Sequence, residues 1–104
     1  MPRFALSKLP WHGNGHPVRH VLEESLIEEG FDPFAWVDEP GKHYEAHSHA
    51  HDEILWVIRG SMQFDVGGKV FDLAPGDRLN LPHASEHEAT VGPEGCEYLV
   101  GQRL

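Results

Sequence analysis

The sequence contains little that would support a disulfide-rich or membrane-bound protein. It has a single cysteine, Cys96, so no internal disulfide can form and a reducing compartment is the simpler setting. A glutamate and no cation adjoins Cys96, which predicts a half-buried thiol rather than a nucleophile. No apolar run approaches the ~20 residues of a membrane span, and residues 1–9 lack the apolar segment of a signal peptide. We therefore expect a cytoplasmic protein with no membrane partner.

Basic residues are also scarce. Eight lysines and arginines stand against 17 aspartates and glutamates, which gives a net charge of −9 with histidine neutral. Such a charge repels phosphate backbones, so we expect no nucleic-acid partner. The length of 104 residues, with 39% hydrophobic residues, is typical of one folded domain with a modest core.

Histidine, in contrast, is abundant. The chain has nine histidines, several times ordinary usage, and most of them crowd its middle. The six central ones are His43, His47, His49, His51, His83 and His87. Clustered histidines at even spacing on strands are typical of metal sites.

The chain divides into two parts by pattern. Residues 1–16 follow neither a helical nor a strand period, which predicts an irregular arm. Apolar residues then recur at helical spacing over residues 17–29, which predicts one short amphipathic helix. We accordingly assign residues 1–33 to an arm and helix, and residues 34–104 to a β-domain.

The second part is rich in short β-prone runs separated by turn residues. We predict about eight strands, over residues 34–37, 42–49, 53–59, 61–66, 69–73, 78–81, 86–91 and 97–101. The pair Gly67-Gly68 is a strong signal for a two-residue hairpin, because both residues can adopt positive φ. Short strands at this spacing predict an all-β sandwich or barrel.

Four residues are candidate metal ligands. On a strand, His47 and His49 would stand on one face with Cα atoms ~7 Å apart. Glu53 can join them only if the chain reverses between His49 and the next strand. His87, at the start of a later strand, is the best-placed fourth ligand. Three imidazoles and one carboxylate suit one divalent ion of manganese, iron, cobalt, nickel, copper or zinc.

These residues resemble the two motifs of the cupin superfamily. The first motif matches at every fixed position, which are Gly41, His47, His49, Glu53 and Gly60. The second motif matches at Gly76, Pro82 and His87, whereas Ala84 replaces the usual glycine and Val91 the usual asparagine. The resemblance extends over about residues 34–101.

The resemblance implies an antiparallel double-stranded β-helix, the jelly-roll barrel of cupins, preceded here by the short N-terminal helix. It implies a divalent metal on the residues that match the family's ligands, His47, His49, Glu53 and His87. Small cupins of this kind are commonly homodimers, which would also cover exposed edge strands. The superfamily includes dioxygenases, decarboxylases, sugar isomerases and sensor domains, so membership alone selects no activity.

Several alternatives stay open for individual residues. The histidines could form a metal-free, hydrogen-bonded polar interior, or a shifted site of His49, His51 and a later carboxylate. His51 would otherwise be a residue that supports the ligands or lies at the surface. His83 is either a solvated loop residue or a group at the barrel mouth.

Other side chains bear on the ligand. Trp36, Trp56, Phe64 and Tyr44 are expected in the core or lining the cavity. An inward-pointing Arg59 or Arg78 would favour a carboxylate substrate, although surface arginines are the usual case.

The functional hypothesis is a metal-dependent oxygenase that acts on a small organic substrate, with Glu53 also serving as the proton acceptor. One alternative is a non-catalytic cupin that binds or senses a small ligand. A second is a metal-dependent sugar isomerase, which would need more polar cavity groups than the sequence provides.

Overall fold

The computed structural model describes residues 4–103, which form one helix and seven strands. In chain order these are β1 (Ser7–Leu9), α1 (Arg19–Glu28), β2 (Asp32–Asp38), β3 (His43–His47), β4 (Asp52–Val66), β5 (Lys69–Leu73), β6 (Arg78–Leu81) and β7 (His87–Arg103). The predicted all-β class with one short helix is confirmed. Among the described residues, no helix is both long enough and apolar enough to cross a membrane.

Two long strands organise the sheet. Every pairing is antiparallel, and the main path runs β1-β6-β4-β7-β2, with β5 paired to β4 and β3 paired to β7. Strand β4 therefore has three neighbours, and so does β7. This pattern is that of the predicted jelly-roll barrel. Alternate residues of β3 and of the first part of β7, such as Tyr44 and Ala89, face the interior.

Successive residues of the long strands face two different apolar clusters. Leu55 lies in the cluster inside the barrel, whereas Ile54 lies in the cluster between the barrel and α1. The same alternation puts Tyr98 inside and Leu99 outside. This period of two is the geometry of a strand with both faces covered. The helix supplies Leu26, which is fully buried, to the outer cluster.

An ion pair between the buried Arg78 and the exposed Glu29 also holds the end of the helix to the barrel. Arg78 donates two hydrogen bonds of 2.7 Å to the Glu29 carboxylate, and its guanidinium lies 5.1 Å from the Trp56 ring centre. The hydrogen bonds from Arg78 hold the pKa of Glu29 below its usual range. Arg78 is therefore engaged on the helix side of the sheet.

The strand boundaries correct the sequence prediction in several places. The predicted irregular arm contains β1, which is held by pairing with β6 far along the chain. The strands predicted over 53–59 and 61–66 are one strand, and so are those predicted over 86–91 and 97–101. Strand β3 ends at residue 47 rather than 49, and α1 begins two residues after the predicted start.

The division into an arm with a helix and a β-domain from residue 34 stays a prediction. Its outer limits, residues 1–3 and 104, lie outside the described residues.

Candidate metal centre

Three histidines converge where β3 meets β7. His47 ends β3 and is the register partner of His87, which begins β7, while His49 follows in the loop after β3. The ring centres lie 4.4 Å apart for His47 and His87, 5.0 Å for His47 and His49, and 5.5 Å for His49 and His87. Each ring offers a nitrogen within 4.8 Å of the other two. The three residues form a group that could hold a metal ion.

Backbone carbonyls fix the tautomers of two of these rings. The Nδ1 of His47 lies 2.6 Å from the carbonyl oxygen of Glu45, and the Nδ1 of His87 lies 2.9 Å from that of Ser85. A carbonyl oxygen only accepts, so each Nδ1 carries the proton. The Nε2 lone pair is therefore left for a ligand in both rings, which is the arrangement that metal-binding histidines commonly show.

Burial keeps His87 in the form that binds a metal. Its side chain is buried, and desolvation lowers the pKa of His87 below its usual range. The nearby rings of His47 and His49 lower that pKa further, whereas the carbonyl of Ser85 and the charge of Glu53 oppose the shift. A ligating imidazole must be neutral, so this environment suits coordination.

Glu53 belongs to a second group of potential ligands. The chain reverses after His49 and enters β4 at Asp52, which puts the buried Glu53 carboxylate near two imidazoles. Its oxygens lie 3.6 Å from His49 Nε2 and 3.7 Å from His51 Nε2. Within residues 4–103, the four predicted ligands do not form one group with all atoms inside 4.8 Å. One group consists of His47, His49 and His87, and the other of His49, His51 and Glu53. His49 belongs to both groups.

A mainly apolar cavity of about 290 Å³ adjoins the histidines. Its polar lining residues are Tyr44, His47, His49, Glu53, His87, Tyr98 and Gln102. Its apolar lining residues are Phe34, Trp36, Leu55, Met62, Phe64, Ala89 and Val100. Of the described residues, no lysine or arginine lines this cavity. The lining therefore suits a small ligand with an apolar body and a metal-binding end.

A buried carboxylate supports the cavity wall. Asp38 accepts hydrogen bonds from the hydroxyl of Tyr44 at 2.8 Å, from that of Tyr98 at 2.7 Å and from the indole of Trp36 at 3.2 Å. Burial, with the hydrogen bond to Asp38, raises the pKa of Tyr98 well above its usual range. No local sequence pattern marks Asp38 or Tyr98, because their contact joins residues far apart in the chain.

The remaining sequence candidates lie elsewhere. His83 is an exposed loop residue whose ring contacts Asp52 at 3.2 Å. Arg59 pairs with Glu97 at 3.1 Å on the surface. Burial, and then the charges of Asp38 and Glu97, raise the pKa of the Cys96 thiol to about 12, which does not favour a thiolate nucleophile.

The loop before His87 contains the departure from the second cupin motif. Ala84 has a φ of 62°, the left-handed conformation that glycine adopts most readily. Its amide donates a 2.7 Å hydrogen bond to the carbonyl oxygen of His49. The loop therefore keeps the glycine-like conformation with an alanine and ties the loop to the histidine cluster.

Comparison with known proteins gives a family and a fold. Residues 34–100, more than half of the chain, match the family Cupin_2, described as a cupin domain. No curated protein matches the sequence.

Solved structures agree with the fold. KdgF from a Halomonas species has 23% identity and a TM-score of 0.62 over 72% of this chain and 71% of its own. An RmlC-like cupin from Shewanella frigidimarina has 20% identity and a TM-score of 0.62 over 72% of this chain and 68% of its own. The DMSP lyase DddQ from Ruegeria pomeroyi has 24% identity and a TM-score of 0.66, over 72% of this chain but 39% of its own. At these identities the likeness concerns the fold alone.

Proposed function

Because the chain belongs to the cupin domain family, we propose that it is a metal-dependent oxygenase that acts on a small organic molecule bound in the cavity. The observation that carries the proposal is the convergence of three imidazoles, two with fixed tautomers, on the wall of a mainly apolar cavity. His47, His49 and His87 would hold one divalent ion, with Glu53 as the fourth ligand. A bound ion would supply a Lewis acid or redox centre with one or two open positions.

The side chains around the proposed ligands support one substrate class over another. Aromatic walls such as Phe34, Trp36 and Phe64 favour a substrate with a flat or apolar body. None of the described lining residues is a lysine or an arginine. The cavity therefore offers no such cationic side chain to pair with a phosphate or with a second carboxylate of the substrate. The lining therefore favours a neutral or singly charged chelating substrate over a sugar phosphate.

Glu53 is the proposed proton acceptor. Its carboxylate is buried, lines the cavity and has two imidazoles within 3.7 Å. A carboxylate in this position could take a proton from an acidic C–H or O–H of a bound chelating substrate. No other carboxylate lines the cavity among residues 4–103.

The test is oxygen consumption by iron-loaded protein of measured metal content. The panel contains catechols, enolisable diketones and flavonols, with sugar phosphates as the contrasting class. We expect oxygen uptake with a member of the first three classes and none with sugar phosphates. His49→Ala should remove most of the iron and the uptake, while the matched variant His83→Ala should keep both, because His83 lies outside both ligand groups.

Other outcomes would select the alternatives. Saturable binding of a panel compound without any turnover would favour a cupin that binds or senses a small ligand. Isomerisation of a sugar phosphate without oxygen uptake would favour the isomerase. Either result would overturn the oxygenase proposal.

A homodimer is also part of the proposal. The described sheet ends at β2, which has one strand neighbour and exposes Trp36 and Val37, the latter to 74%. A second copy of the chain could cover this apolar edge. We expect sedimentation velocity to give a dimer at micromolar concentration, and Val37→Lys to shift it toward monomer. A monomer for the unmodified protein would contradict this part.

A further inference from the structure

His51 has a buried nitrogen without a hydrogen-bond partner. Its Nε2 is the one buried side-chain nitrogen or oxygen found unpaired among the described residues, and 16% of the side chain is exposed. The nearest carboxylate atom, Glu53 Oε2, lies 3.7 Å away, which is too far for a hydrogen bond. Leaving such a buried polar group unpaired destabilises the fold, so a partner is expected at this position.

The surroundings of that nitrogen have the spacing of metal ligands. Glu53 offers Oε1 to His49 Nε2 at 3.6 Å and Oε2 to His51 Nε2 at 3.7 Å. Two atoms that each bind one ion at ~2.1 Å stand ~3.0 Å apart in octahedral and ~3.4 Å apart in tetrahedral geometry. The two nitrogen–oxygen distances exceed these spacings by only a few tenths of an ångström, and each of the three residues offers one ligand atom within 4.8 Å of the other two. The rings of His49 and His51 are also close to parallel, at 29°.

We propose that the metal centre has a second, overlapping position for the same divalent ion, formed by His49, His51 and Glu53. The inner position uses His47 and His87 together with His49 and Glu53, whereas the outer position uses His51 in place of the first two. This inference rests on the proposed function only in requiring that the protein binds a metal. Two imidazoles and one carboxylate suit divalent iron, cobalt or zinc.

Shared ligands make the two positions alternatives. An ion in either position would occupy His49 and Glu53, so one chain holds one ion at a time. His49 and Glu53 line the cavity and His51 does not, which puts the outer position at the edge of the cavity rather than within it. His51 would thus retain the ion when the inner ligands are lost or displaced.

A double-mutant cycle with Co²⁺ tests the second position. Calorimetric titration gives the Co²⁺ affinity of the wild type, His51→Phe, His47→Ala and the His47→Ala/His51→Phe pair. Phenylalanine keeps the ring of His51 without its nitrogens. We expect His51→Phe to change affinity within about twofold when His47 is present. In the His47→Ala background it should cost about tenfold or more.

The controls separate this role from a structural one. His83→Phe, in an exposed loop, should change Co²⁺ affinity within about twofold in both backgrounds. Circular dichroism melts confirm that each variant folds, and a His87→Gln background gives an independent cycle. The visible Co²⁺ spectrum of His47→Ala should change when His51 is also replaced.

Two results would overturn the inference, and they are distinct. An effect of His51→Phe that is the same in both backgrounds, or absent from both, would remove the outer position while leaving the metal centre intact. A wild-type protein that binds no Co²⁺ would overturn the metal centre itself, and the outer position with it.

Discussion

At the scale of single residues, the buried carboxylate of Asp38 accepts hydrogen bonds from three side chains. Replacing it with alanine would leave the hydroxyls of Tyr44 and Tyr98 and the indole of Trp36 without their acceptor. The Tyr98 hydroxyl is buried and would be left without a partner, so we expect Asp38→Ala to lower the free energy of unfolding by about 2–4 kcal/mol. Urea denaturation measures this change.

Asp72→Ala is the matched control for Asp38. Asp72 is exposed and accepts a 2.8 Å hydrogen bond from Gln63, another exposed residue. We expect its removal to change stability by less than about 0.5 kcal/mol. Equal losses in the two variants would mean that the three donors around Asp38 find other partners.

Replacement of Ala84 with glycine is expected to stabilise the folded protein. A non-glycine residue in the left-handed region stores strain of about 1 kcal/mol or more, which exceeds the entropy that glycine adds to the unfolded chain. Ala84→Gly should therefore raise the free energy of unfolding by about 1 kcal/mol. Ala74→Gly, at a position without positive φ, should lower it by about 0.5–1 kcal/mol. A destabilised Ala84→Gly variant would show that the loop carries no such strain.

The sequence pointed to candidate ligands both near in the chain and far apart, since the predicted ligand His87 lies beside His47 in the structure. The motif from His47 to Glu53 predicted a turn between two strands, and the structure has that turn. The contact between Asp38 and Tyr98 depends on β2 pairing with β7, which no local pattern specifies. Assignment of the ligands stays a prediction, because the structure arranges them in two overlapping groups.

At the scale of elements, glycine and proline predicted the ends of strands at positions where the structure has bulges within continuous strands. Gly60 separates the two strands predicted within β4, but pairing with β7 continues across it with a shift of register. Residues 92–95 have the composition of a turn, yet they lie within β7 opposite that same shift. Local propensity identified the irregular positions correctly. Local propensity could not show that the strands continue across these positions because they pair with a strand far along the chain.

Gly60 provides the test of this bulge. Its φ is 80°, and a Cβ there would overlap the backbone oxygen of Gly95. Gly68 also has positive φ, at 91°, but a Cβ there meets open space. We expect Gly60→Ala to destabilise the protein by about 3 kcal/mol or more and Gly68→Ala by about 1 kcal/mol, measured by thermal unfolding. Similar losses of stability in the two variants would mean that β4 and β7 can separate near Gly60 at little cost in free energy.

At the scale of the whole molecule, metal binding should couple stability to pH through the histidines. Burial lowers the pKa of His87 in the folded protein, so the unfolded chain takes up the proton first as pH falls. The stability that a neutral His87 contributes is thus present above the unfolded histidine pKa near ~6.5 and lost as pH drops toward the folded value. A bound ion needs neutral imidazoles, so it extends the same dependence to every ligating ring.

We therefore expect metal-loaded protein to melt at a higher temperature than metal-stripped protein at about pH 7.5, with a gap that shrinks by about pH 5. Differential scanning calorimetry of both forms across this range measures the gap. His87→Gln should reduce the gap at the higher pH, whereas His83→Gln, in the exposed loop, should leave it unchanged. Protons compete with the ion only at groups that bind both. A gap that stays constant or widens in acid would therefore mean that histidines are not the ligands.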